Sequence, residues 1–214
     1  MRTVRPVRRA LLLSVAVTSL WGALDEYVPL LAAGTGVATG TVPFLVLAVW
    51  AGVTLGGLLA GRAERLPGRA LAVLLLAAGV LLAAGALGRS AAGFALLAGA
   101  FLVFQLLDVV ADARLQAAIE GPAARATVTS LAGFGSSAGT LLVYGVYGAA
   151  SGAGLDHGSV FALFAVVCPV IAVLLLGVAA PAGTPVPTVP TVPEGTTPAG
   201  PSAAAGPGGT AGTS

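Results

Sequence analysis

Six stretches of this chain, near 10–32, 41–61, 70–88, 92–113, 127–149 and 159–180, are each roughly 20 residues of mostly apolar side chains. That is the length a helix needs to cross the hydrocarbon core of a bilayer. None shows the period-2 alternation of a barrel strand. Only 8% of the 214 residues are charged, against about 25% in a soluble domain. A soluble fold could not cover its surface with so few charges, so lipid is the expected solvent. The sequence thus predicts an all-α membrane protein with three parts. These are an Arg-rich start at 1–9, a six-helix transmembrane domain at 10–180, and a disordered Pro/Gly/Thr-rich tail at 181–214.

The connectors predict the orientation. All ten basic residues are Arg. Arg2, Arg5, Arg8 and Arg9 precede span one. Arg62, Arg65 and Arg69 follow span two, and Arg114 and Arg125 flank the connection from span four to span five. With six spans these nine share one side, and only Arg89 lies on the other. The positive-inside rule then places both termini in the cytoplasm of a cell-membrane protein. The arginines sit in short runs between apolar stretches, which is no nucleic-acid footprint. The first 25 residues have the Arg-rich start of a signal peptide, but the apolar stretch continues past Asp25 and Glu26 to Ala33. That is too long for an h-region, and an uncleaved first span is expected. One cysteine, Cys168, and one histidine, His157, exclude an intramolecular disulfide and a multi-histidine metal site. No motif calls for a cofactor.

Polar side chains are spread unevenly over the spans. Span one carries Ser14, Thr18 and Asp25 at helical spacing, with Glu26 beside them. Span four carries Gln105, Asp108, Asp112 and Gln116 at i, i+3, i+7 and i+11, one continuous polar face. Span five carries Ser130, Ser136, Ser137, Thr140, Tyr144 and Tyr147. Spans three and six are almost wholly apolar. An ionisable group near the bilayer centre costs at least about 2.5 kcal/mol, so such groups face an interior or a water-filled cavity. Spans one and four are therefore expected to line an interior, and spans three and six to face lipid all round. The order polar, intermediate, apolar occurs twice, so two inverted three-helix repeats are expected, a plan common among secondary transporters. Rows of small residues, Gly52/Gly56/Ala60, Gly57/Gly61, Gly135/Gly139 and Gly133/Ser137, suit close helix packing.

Three segments resemble the major facilitator superfamily, and its C-terminal six-helix half in particular. Trp21-Gly-Ala-Leu-Asp-Glu-Tyr-Val-Pro-Leu-Leu31 resembles a seventh helix of that family. Gly57-Leu-Leu-Ala-Gly-Arg62, with Arg65 and Gly68-Arg69, is similar to its cytoplasmic signature. Ala111-Asp-Ala-Arg-Leu-Gln116 through Arg125-Ala-Thr127 resembles the entry to an eleventh helix. With the spans between them these cover residues 1–180. The resemblance implies a transporter, or half of one, moving a small solute by alternating access, with a second six-helix half or a second copy as partner.

The candidate substrate or proton pathway is Asp25, Glu26, Gln105, Asp108, Ser137 and Tyr144. Asp112 is expected to pair with Arg62 or Arg65 as a structural or gating contact. His157 is expected to form a solvated pair with Asp156. Two other readings stand beside transport. One is a non-transporting accessory or scaffold protein in the same bilayer. The other is an intramembrane serine protease, suggested by Gly135-Ser-Ser-Ala-Gly139. In that case Ser137 lies about 18 Å along the axis from the loop holding His157, too far for a nucleophile and its base.

Overall fold

The computed structural model describes residues 4–119 and 122–176. The tail at 181–214 lies outside them. Among the described residues eight α-helices follow one another: α1 (Val4–Asp25), α2 (Val28–Ala33), α3 (Val42–Ala63), α4 (Gly68–Leu87), α5 (Gly93–Ala118), α6 (Pro122–Gly152), α7 (His157–Ala165) and α8 (Val167–Leu176). A short 3₁₀ turn, Thr39–Thr41, leads into α3. α7 and α8 together make one span, and six helices among the described residues are long and apolar enough to cross a membrane. The chain is a multi-pass membrane protein.

Proline explains both interruptions. Pro29 has no N–H for the carbonyl of Asp25, so α1 ends there and α2 restarts beyond a turn at Glu26–Tyr27. Pro169 likewise leaves the carbonyl of Ala165 without its helical donor, and the chain turns at Val166 between α7 and α8.

α5 is the central post. Phe94, Leu97, Phe101, Phe104, Leu107 and Val110 are all buried along it, and it packs against α3, α4 and α1. The α3–α5 seam is the most extensive, because glycines let the backbones meet. A Cβ added at Gly52 would strike the carbonyl of Ala98, and one at Gly56 the carbonyl of Leu102. On α6, Gly135 accommodates Val15 and Gly139 accommodates Ser19, both from α1. Gly57, Gly61 and Gly133 have open space in place of a neighbour, so only some of the small-residue rows serve packing within the chain.

The expectation that spans three and six face lipid all round is not met. α4 buries Leu71, Leu75, Ala78, Gly79, Leu82 and Ala86 against α5, α7 and α8. Phe161, Phe164, Cys168 and Ile171 of α7 and α8 are buried too. In lipid the packing of a helix is set by shape, not by its lack of polar groups. Gly79 lies against Cys168 and the Ala165 carbonyl. α6 is the most exposed span; among its described residues only Tyr147 is buried. The contacts follow a pattern: α3 packs on α5 as α6 packs on α1, and α4 packs on α5 as α8 packs, less extensively, on α1. α1 meets α5, and α4 meets α7 and α8.

Candidate functional site

Two polar faces meet where α1 crosses α5. Thr18 Oγ1 donates a hydrogen bond to Asp108 Oδ1. The indole of Trp21 is directed at the same carboxylate, with its buried Nε1 just outside hydrogen-bond geometry. One helical turn further along α1, Asp25 carries a buried Oδ1 that also lacks a partner. Thr18 and Asp25 are about 10 Å apart by helical rise. The arrangement is a file of polar groups (Thr18 with Asp108, then Trp21, then Asp25) ending at exposed Glu26, where α1 breaks. Open hydrogen-bonding positions in a buried site of this kind suit water or a polar solute.

The break is held by aromatic rings. Tyr27 stacks on Tyr147 at 3.6 Å between centroids, and Tyr144 meets it edge-on at 5.7 Å. Tyr144 also lies within electrostatic reach of Glu26 and Asp25. The Tyr147 hydroxyl is 2.8 Å from His157 Nδ1, and Phe161 packs edge-on against the same ring. His157 is therefore not paired with Asp156, contrary to the sequence expectation. Asp156 caps α7, accepting from Ser159 N and Oγ at 3.1 Å each, and forms an ion pair with Arg89 at 3.3 Å. The Ser159 amide, with its hydroxyl and Arg89, holds the Asp156 carboxyl below the usual range. Arg89 itself sits at φ +43°, the only non-glycine residue at positive φ among the described residues. Such a conformation costs an ordinary side chain roughly 1–2 kcal/mol.

The remaining predicted residues lie elsewhere. Gln105 is in the α3–α5 seam, with its Cβ close to Gly56. Ser137 is exposed and donates to the Gly133 carbonyl of its own helix at 3.0 Å, so Ser137 and His157 are not joined. Asp112, Arg62 and Arg65 are exposed, and no ion pair joins them among the described residues; the expected contact is not formed. Arg114 occupies that end of the bundle in their place. It is only 2% exposed, donates from Nη2 to the Leu66 carbonyl at 2.7 Å, and leaves Nε and Nη1 unpartnered. Sequence reading missed it, because an arginine at the end of a span looks like a solvated connector. Ser19 was also passed over. Its hydroxyl, 2.6 Å from Val15 O and 3.1 Å from Ser136 O, joins α1 to α6.

Arg114 yields a test. A buried cation with one hydrogen bond stabilises little, and an apolar side chain of similar size is often neutral in its place. Arg114→Met should therefore stay within about 1 kcal/mol of wild-type stability, while hydrogen exchange rises across residues 64–68. Unchanged exchange there would show that the guanidinium does not hold the α3–α4 loop.

Among the described residues no cluster of three or more His, Cys, Asp or Glu side chains is placed to hold a metal. Fold and site define an all-helical, multi-pass membrane protein with a polar contact between its first and fourth spans. No protein-family model, curated protein or solved structure matches the chain.

Proposed function

We propose that this chain is a transporter, or half of one, that moves a small solute across the cell membrane by alternating access, with proton coupling through Asp108. The observation that carries this reading is the Thr18–Asp108 contact between α1 and α5. A carboxylate at that depth is costly unless it is paired or reached by water, and such residues mark solute and proton pathways. The carboxylate of Asp25 extends the same polar face toward one end. The packing pattern supports two inverted three-helix repeats, since exchanging the first three spans with the last three maps the principal seams onto one another. On this reading α3 and α6, the two most exposed spans, flank the pathway. They face a second six-helix half or a second copy, as in the major facilitator plan.

The proposed orientation has both termini in the cytoplasm. Arg114 reaching Leu66 ties the α5 end to the α3–α4 loop, and Arg89 with Asp156 ties the opposite loops together. In a Cys168→Ala background, cysteines at Thr35 and Asp156 should react with an impermeant reagent from outside, and those at Glu64 and Arg125 only after permeabilisation. Reversed labelling would overturn the orientation.

The function is tested in proteoliposomes. The chain, alone or with its partner half, should show saturable solute uptake driven by a pH gradient. Folded, inserted protein that carries no candidate solute at any gradient would leave the non-transporting scaffold reading in its place.

A further inference from the structure

A second polar feature lies outside that pathway. Where α2 ends, α4 ends and α7 begins, a cavity of about 260 Å³ opens between Leu31, Thr35, Ala86, Arg89, Asp156 and His157. It has room for a molecule of a few heavy atoms.

Its hydrogen-bonding character can be worked out group by group. Tyr147 is buried, and its hydroxyl has one partner among the described residues, His157 Nδ1. If the imidazole donated from Nδ1, the phenolic hydrogen would be buried without an acceptor, which is the costlier arrangement. Tyr147 therefore donates to Nδ1, and in the neutral ring the proton sits on Nε2. The Cδ2–Nε2 edge is the one turned toward the cavity wall, since Cδ2 lies 3.8 Å from the position of a Gly34 Cβ. Asp156 is already engaged: its oxygens accept from Ser159 N and Oγ, and Arg89 offsets its charge. Thr35 donates its hydroxyl hydrogen to the Ala32 carbonyl at 2.7 Å. Arg89 uses Nη1 for the ion pair, and its other N–H groups have no protein partner among the described residues. The donors left over are Arg89 N–H groups and His157 Nε2–H, and the apolar wall is Leu31 and Ala86.

We infer that this cavity is a binding site for a small carboxylate anion, its oxygens held by Arg89 and His157 and its short alkyl end lying on Leu31 and Ala86. A planar guanidinium matches a carboxylate with two parallel N–H donors, which a lysine does not. The site stands on its own residues and does not depend on the transport reading.

The test is calorimetric titration of sodium propionate into purified protein in lipid nanodiscs, with ethylammonium chloride as the size-matched cation. Wild type should bind propionate saturably and ethylammonium not at all. Arg89→Gln should weaken propionate at least tenfold. Arg89→Lys, which keeps a cation for Asp156 and so protects the fold, should lose most of the affinity as well. Tyr147→Phe, which releases the imidazole tautomer, should weaken binding less than either. The inference is overturned if folded wild type shows no saturable propionate binding, if ethylammonium binds as well, or if Arg89→Lys binds like wild type.

Discussion

Replacing Gly56 by leucine should separate α3 from α5 and cost about 3 kcal/mol or more, the upper end of what overpacking does in a close-packed interior. The reason is what a side chain would meet. At Gly56 the obstacle is the Leu102 backbone carbonyl, with Gln105 Cβ close behind, and at Gly52 it is the Ala98 carbonyl. Backbone inside a central helix cannot turn aside as a long side chain can. Gly57→Leu, one position along and facing open space, should be nearly neutral. Thermal unfolding in one detergent, with the variants side by side, measures both. Equal behaviour of Gly56→Leu and Gly57→Leu would mean that α3 is not seated on α5 in this register.

Asp108→Asn should abolish uptake driven by a pH gradient while the protein stays folded in the membrane. Asparagine keeps an oxygen that can accept from Thr18 Oγ1, so the α1–α5 contact survives, but it can no longer gain or lose a proton. Solute exchange with equal pH on both sides should persist, because that movement needs no net proton transfer. The Asp25→Asn/Glu26→Gln double variant should likewise lose gradient-driven uptake, since it removes both carboxylates at the end of the polar file. Gradient-driven uptake in both variants at wild-type rates would make the polar faces structural.

The span count and the α1 and α5 faces were readable because they rest on strong local signals. Length and apolarity mark each crossing, and the spacing of Thr18 and Asp25 or of Gln105 and Asp108 marks a face. What the sequence did not convey was how those faces are used. Asp108 meets Thr18, whereas Gln105, three residues before it, lies in the α3 seam; periodicity alone cannot separate neighbouring positions on one stripe. The surroundings of α4 differ from the sequence expectation because a lack of polar groups does not itself mark lipid exposure. The informative residues were small ones, Ala78, Gly79 and Gly85, which admit a neighbouring helix. Both helix breaks were signalled by Pro29 and Pro169, yet the apolar stretch alone reads through them. The Arg114–Leu66 contact lay beyond reach, since it depends on a loop folding back on a helix distant in sequence, and the Tyr147–His157 bond depends on how the short α6–α7 connection turns the two side chains together.

The break at Pro169 has a mechanical consequence. The Ala165 carbonyl, deprived of its helical donor, rests against Gly79, and Cys168 fills the same notch. Sliding α4 by one turn toward either end would replace Gly79 in the notch by Leu75 or Leu82 and wedge a side chain against that carbonyl. α4 and the α7–α8 span are thereby keyed together like a bolt in its socket, a stiff rear wall. Any rocking of α1, α3 or α6 must take place against that wall and not within it.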